Sequence, residues 1–222
     1  MAAQLSHGAS GTSVLSANSG SISITAYFDP FAPTVMLASS ACCSYLPGER
    51  DNMAGVYSVH ATKKLLARLK EPVRVPVVEP TTRLGNWYAK PLFWKPQFVL
   101  FVNERTFLPV LVPLAPASTL LRRFPGVLAS TLEAHGVRRS FIDAEVNAMA
   151  TVELSKTQSR QLIGVLNELA FHVDIIRHEQ PDPDELEIAM EASRVPMGIL
   201  GKSYRFPDLA LAELVDEAGD VD

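Results

Sequence analysis

Cysteine is nearly absent from the chain, and the two that occur, Cys42 and Cys43, are adjacent. Neighbouring cysteines are badly placed for an ordinary disulfide, and two thiols alone make no zinc site. Such sparing use points to a reducing, cytoplasmic setting. Lysine and arginine are missing before Arg50. The start therefore has neither the positive n-region of a secretory signal nor the arginines of a transit peptide. No run of about 18 uninterrupted apolar residues occurs, so no membrane span is expected. His7, His60, His135, His172 and His178 form no HExxH pair and have no CxxC partner, so no metal site is expected. G-x-S-x-G, Walker and dinucleotide glycine patterns are also missing, and no cofactor is expected.

What is present is a divided charge and enough apolar residue for a sizeable core. The chain has 222 residues, 47% of them hydrophobic, and a net charge of −4. Residues 1–52 carry one Arg against three acids, or −2. Residues 53–178 carry sixteen Lys/Arg against nine acids, or +7. Residues 179–222 carry three against twelve, or −9. A basic body with an acidic tail suggests an anionic partner, or a tail that screens the body.

The order of elements reads as one α+β domain between two unlike ends. Residues 1–52, rich in Ser, Ala and Gly, read as a disordered extension or as sequence upstream of a native start at Met53. Residues 56–60 read as a strand, and Thr62 is placed to cap a helix over 63–69. Lys63 and Lys64 open that helix, at the end where the macrodipole disfavours cations. There they either reinforce an anion site or are ordinary solvated lysines. Pro72, Pro76 and Pro80 make the next stretch an extended loop. Residues 87–94 read as a strand that Pro91 pushes to a sheet edge. Residues 97–102 and 106–114 read as a hairpin about Asn103-Glu104-Arg105. Its runs are apolar on both faces, so a helix should cover at least one side. Helices follow over 118–124, over 125–135 with Pro125 in the first turn and Gly136 as the cap, and over 141–149. Residues 150–155 are the last strand. Acidic helices over 184–193 and 207–217 make the tail.

Residues 157–177 form the longest helical pattern, with Thr157 or Ser159 available as its cap. At about 100° per residue, Leu162, Ile163, Val165, Leu166, Leu169, Ala170, Val173 and Ile176 fall on one broad face. That face suits packing on a mainly antiparallel sheet. Arg160, Gly164, Asn167 and Glu168 fall opposite, with Phe171 and Ile175 beside them. Gly164 costs roughly 1 kcal/mol relative to Ala inside a helix, which invites a close approach to the backbone. The plainer reading is a solvated face with Gly at a helix crossing.

Several strings resemble a bacterial family grouped as domain of unknown function 6933. They are Val59-His60-Ala61-Thr62-Lys63-Lys64-Leu65-Leu66, Trp87-Tyr88-Ala89, residues 100–106, and residues 110–113. The most specific is Lys156-Thr157 with Arg160, Gly164, Asn167 and Glu168, which is similar to a T-x-N-R-x-x-x-G-x-x-N-[DE] helix. Gln158 and Ser159 depart from the asparagines of that pattern. The resemblance covers roughly residues 55–178. It implies a small bacterial α+β domain and no particular activity. It also marks Trp87, Asn103, Thr106, Arg160, Asn167 and Glu168 as residues to test.

Three function classes follow. The first, and the one preferred, is a binding or interaction module with a polar site on the outer face of helix 157–177, facing a protein partner. The second is a nucleic-acid binder. Lys63, Lys64, Arg122, Arg123, Arg138, Arg139 and Arg160 would hold phosphates, and Trp87, Tyr88 and Trp94 would stack on bases. A pI near 5.8 tells against it. The third is a carboxylate-dependent hydrolase with Glu168 as the base and Arg160 holding it, although such pairs are more often structural.

Overall fold

A computed structural model describes residues 55–74, 79–180, 184–198 and 204–219. The readings made for residues 1–52 lie outside the described residues. The described residues fall in one compact unit.

Five strands form the main sheet: β1 (Val56–Ala61), β2 (Trp87–Leu92), β3 (Phe98–Asn103), β4 (Pro109–Pro113) and β5 (Thr151–Lys156). Their spatial order is β4-β3-β2-β1-β5. β2, β3 and β4 pair as an antiparallel meander, while β1 runs parallel to both β2 and β5. The class is α+β, with a mixed sheet whose antiparallel half is the meander.

Alternation along the strands divides the core in two. Tyr57, Val59, Trp87, Phe101 and Val110 face one side. Helices α1 (Lys63–Leu69), α2 (Leu120–Ala134) and α3 (Arg139–Ala148) cover that side. Phe124 of α2 is its centre, stacked on Phe101 at 4.2 Å and edge-on to Trp87 at 5.0 Å. Tyr88, Leu100, Val102 and Leu111 face the other side. There α4 (Arg160–Glu179) and α5 (Glu185–Ser193) supply Leu166, Leu169, Val173, Ile188 and Ala192. Apolar strands buried on both faces require cover on both, and both are covered.

Three local readings need correction. Pro91 does not make β2 an edge strand, because β2 lies between β1 and β3. β1 pairs with β2 only as far as Ala89. The Ala89 carbonyl accepts from the Thr62 N–H on that side. Pro91, two residues on, turns its missing N–H the same way, past the point where β1 has ended. Pro125 does not start a helix but sits inside α2. A proline there costs about 3 kcal/mol. Burial of Leu120, Leu121, Phe124, Leu128 and Leu132 along one face holds the helix together across it. Gly136 is the cap expected of it, at φ 73°, with Gly136 N–H on Glu133 and Val137 N–H on Leu132.

The acidic segment is the third. It is not an appendage to a domain ending at residue 178. Ile188, Ala192 and Met197 are part of one core, and Leu211, Leu214 and Val215 of α6 (Pro207–Glu217) are part of the other. Arg138 and Arg83 donate to the carbonyls of Val215 and Ala218, satisfying the end of α6 with positive charge. A two-stranded ribbon, β6 (Met197–Gly198) with β7 (Tyr204–Arg205), precedes α6.

Candidate functional site

β1 and β5 lie side by side and parallel, and the chain leaves them toward opposite faces. After β1 it enters α1 on the Phe124 side, and after β5 it enters α4 on the Tyr88 side. Open sheets place ligands outside the carboxyl ends of strands where successive connections diverge in this way.

A groove of about 620 Å³ lies beside that point, at the carboxyl ends of β1 and β2. Thr62, Lys63 and Lys64, the residues that follow β1, form one wall. Lys90 to Trp94, at the end of β2 and just beyond it, make the floor. Asn167, Ala170, Phe171 and Asp174 of α4 form the other wall. The groove exists because β2 runs on past the last residue that β1 pairs. Strand alternation turns Lys90 to the α4 side, where its Nζ donates to Asn167 Oδ1 at 2.9 Å.

The electrostatics are one-sided. Lys63, Lys64 and Lys90 all line the groove, while Asp174 is the sole acid among its lining residues. Asp174 is already engaged, since Trp94 Nε1 donates to its Oδ1 at 3.0 Å. The guanidinium of Arg177 stacks on that indole at 4.5 Å. Partial burial, and then the neighbouring Lys64 charge, pull the Lys90 ammonium below the usual lysine range. Among the described residues, none of the three lysines has a carboxylate within ion-pair distance. The Thr62 hydroxyl, read as a helix cap, makes no capping bond and is shut from water, with no partner among the described residues. The true cap of α4 is Ser159, whose Oγ accepts from Leu162 N–H at 3.3 Å.

The residues singled out from the sequence divide into three groups. Lys63, Lys64 and Asn167 come together in the groove. Arg160, Gly164 and Glu168 are exposed on the outer face of α4 and do not line it. No ion pair joins Arg160 to Glu168 among the described residues, and a Cβ on Gly164 would meet nothing within 4 Å. Among the described residues nothing makes a close approach there. Trp87, Asn103 and Thr106 are buried. Trp87 is core. Asn103 donates to the Leu84 carbonyl, and its Oδ1 accepts from Arg105 N–H, Thr106 N–H and Thr106 Oγ. That bracing holds the loop that carries Phe107 at φ 63°. These three residues lie outside the groove and organise structure.

Several arginines offered for phosphate contact are likewise committed. Arg123 donates to the carbonyls of Pro113 and Pro116, Arg138 to Val215, and Arg139 pairs with Asp143. Among the described residues, no group of three His, Cys, Asp or Glu is placed to hold a metal. Lys90, Phe93 and Asp174 are among the groove residues that sequence reasoning passed over. The signal available for Lys90 was its position, the one charged residue in an otherwise apolar strand pattern.

A family model described as a domain of unknown function (DUF6933) matches residues 58–210, and the chain belongs to that family. The match runs through α5 into α6, in keeping with their place in the two cores. Comparison with the curated proteins finds no match.

Proposed function

We propose that the protein is a binding module whose site is the groove between the end of β1 and α4, and whose ligand carries negative charge. One observation carries this reading. Three lysines line a single concavity in which the sole lining carboxylate is already bonded to an indole. Like charges held together without a counter-ion repel, and an anion placed among them relieves that repulsion. The Asn167 amide supplies a polar group that would orient it.

The site differs from the sequence-based expectation in its position more than in its kind. It takes in Asn167 from the polar face of α4 but lies toward α1 and β2, away from Arg160 and Glu168. A hydrolase centred on Glu168 draws no support from this geometry, because that carboxylate is exposed and outside the groove.

Inorganic pyrophosphate is the probe for the test. It should raise the unfolding midpoint of the full chain in proportion to the logarithm of its concentration. The Lys64→Met, Lys90→Met double variant should lose most of that rise. An equal rise in the double variant would place the anion elsewhere and defeat the reading.

A further inference from the structure

The geometry points to a nucleoside phosphate as the occupant of this groove, a deepening that rests on the anion-binding reading above. Beside its lysines the groove carries aromatic surface that the core does not use. Phe93 is 58% exposed and Phe171 is 63% exposed. Large apolar rings left open to water in a charged concavity are what a ligand with both a ring and a phosphate would use.

The two rings are not equivalent. Lys64 Nζ lies 5.3 Å from the Phe93 centroid, and the Arg68 guanidinium lies 5.8 Å from it. Phe93 thus already serves as a platform for cations, keeping Lys64 at the groove. Phe171 has only an edge contact with His172, at 5.9 Å, among the described aromatic pairs. Its face is the one left for a base. Lys63, Lys64 and Lys90 would take the phosphate. Asn167 has its Oδ1 committed to Lys90, which leaves its Nδ2 hydrogens to donate to a carbonyl or ring nitrogen of the base.

Size and charge favour a single free nucleotide over a strand. The groove volume of about 620 Å³ lies within the range of small-ligand sites. The chain as a whole is at −4. A polyanion would meet that net repulsion beyond the groove, whereas one nucleotide is confined to the lysines.

The test is calorimetric titration of the full chain with inorganic phosphate, ribose 5-phosphate, the four common ribonucleoside 5′-monophosphates and a single-stranded 12-mer. At least one monophosphate should bind about tenfold more tightly than ribose 5-phosphate, the contribution of one stacked base. Phe171→Ala, a surface change that leaves both cores intact, should remove that advantage and leave ribose 5-phosphate binding unchanged. Lys64→Met with Lys90→Met should weaken every phosphate tested. If no monophosphate outdoes ribose 5-phosphate, the nucleoside is wrong while the anion groove stands. If no phosphate binds at all, both readings fall. A 12-mer that binds more than tenfold tighter than every monophosphate at the same salt would replace the free nucleotide with a strand.

Discussion

Gly164 is costly enough to need a reason, yet among the described residues nothing lies within 4 Å of a Cβ placed there. Gly164→Ala should therefore raise stability by about 0.5–1 kcal/mol, read from the denaturant midpoint. A loss of stability would mean that the backbone there is constrained in some other way. Glu145 drew no notice in the sequence, yet it is 1% exposed and accepts from the N–H groups of both Arg83 and Leu84. It anchors the loop that leads into β2. Burial raises its carboxyl above the ordinary value of 4.5, against those hydrogen bonds. The native state therefore holds the proton more tightly than the unfolded chain. This group's contribution to stability falls as pH rises from the ordinary value through the raised one. Glu145→Gln should cost about 1–3 kcal/mol near neutral pH, because a glutamine offers one acceptor where two N–H groups need one each. It should also flatten that part of the stability–pH curve. A variant as stable as the parent at every pH would refute the anchoring role.

At the scale of elements, α2 holds one face of the sheet chiefly through Phe124, which meets Tyr57, Trp87 and Phe101. Phe124→Ala should destabilise the protein by about 3–5 kcal/mol in equilibrium unfolding. A loss under 1 kcal/mol would show that the helix is held elsewhere. The elements themselves were largely legible. Periodicity found α1 and α4, each with a 3.6-residue repeat, and two apolar runs about a short polar turn marked the β3–β4 hairpin. Prolines misled at Pro91 and Pro125 for one reason. A proline rule describes the local backbone, whereas the outcome depends on where the neighbouring strand ends and how much apolar surface the helix buries. The site was legible only in part. Lys63, Lys64 and Asn167 stood out singly. Their meeting with Lys90 depends on the register of β1 against β2 and on which face α4 takes, and neither is written in any one segment. Asn103 and Thr106 were conspicuous polar residues for another reason, the bracing of a loop.

At the scale of the whole molecule, charge is arranged differently from its distribution along the chain. The acidic segment after Glu179 folds into the body, and several body arginines are spent on backbone carbonyls, two of them at the end of α6. Charge counted by segment therefore overstates the basic surface available to a partner. Removal of residues after Phe206 should cost several kcal/mol, since Leu211, Leu214 and Val215 each contribute about 1.5–3 kcal/mol of burial. An unchanged unfolding midpoint would mark α6 as dispensable.

The most direct test of the binding site is amide chemical-shift mapping of the full chain as pyrophosphate is added. The groove reading predicts shifts confined to residues 62–64, 90–94 and 167–174, saturating together with one apparent affinity. Shifts centred on Arg160 and Glu168, or spread over Arg122, Arg138 and Arg139 with no saturation, would contradict it.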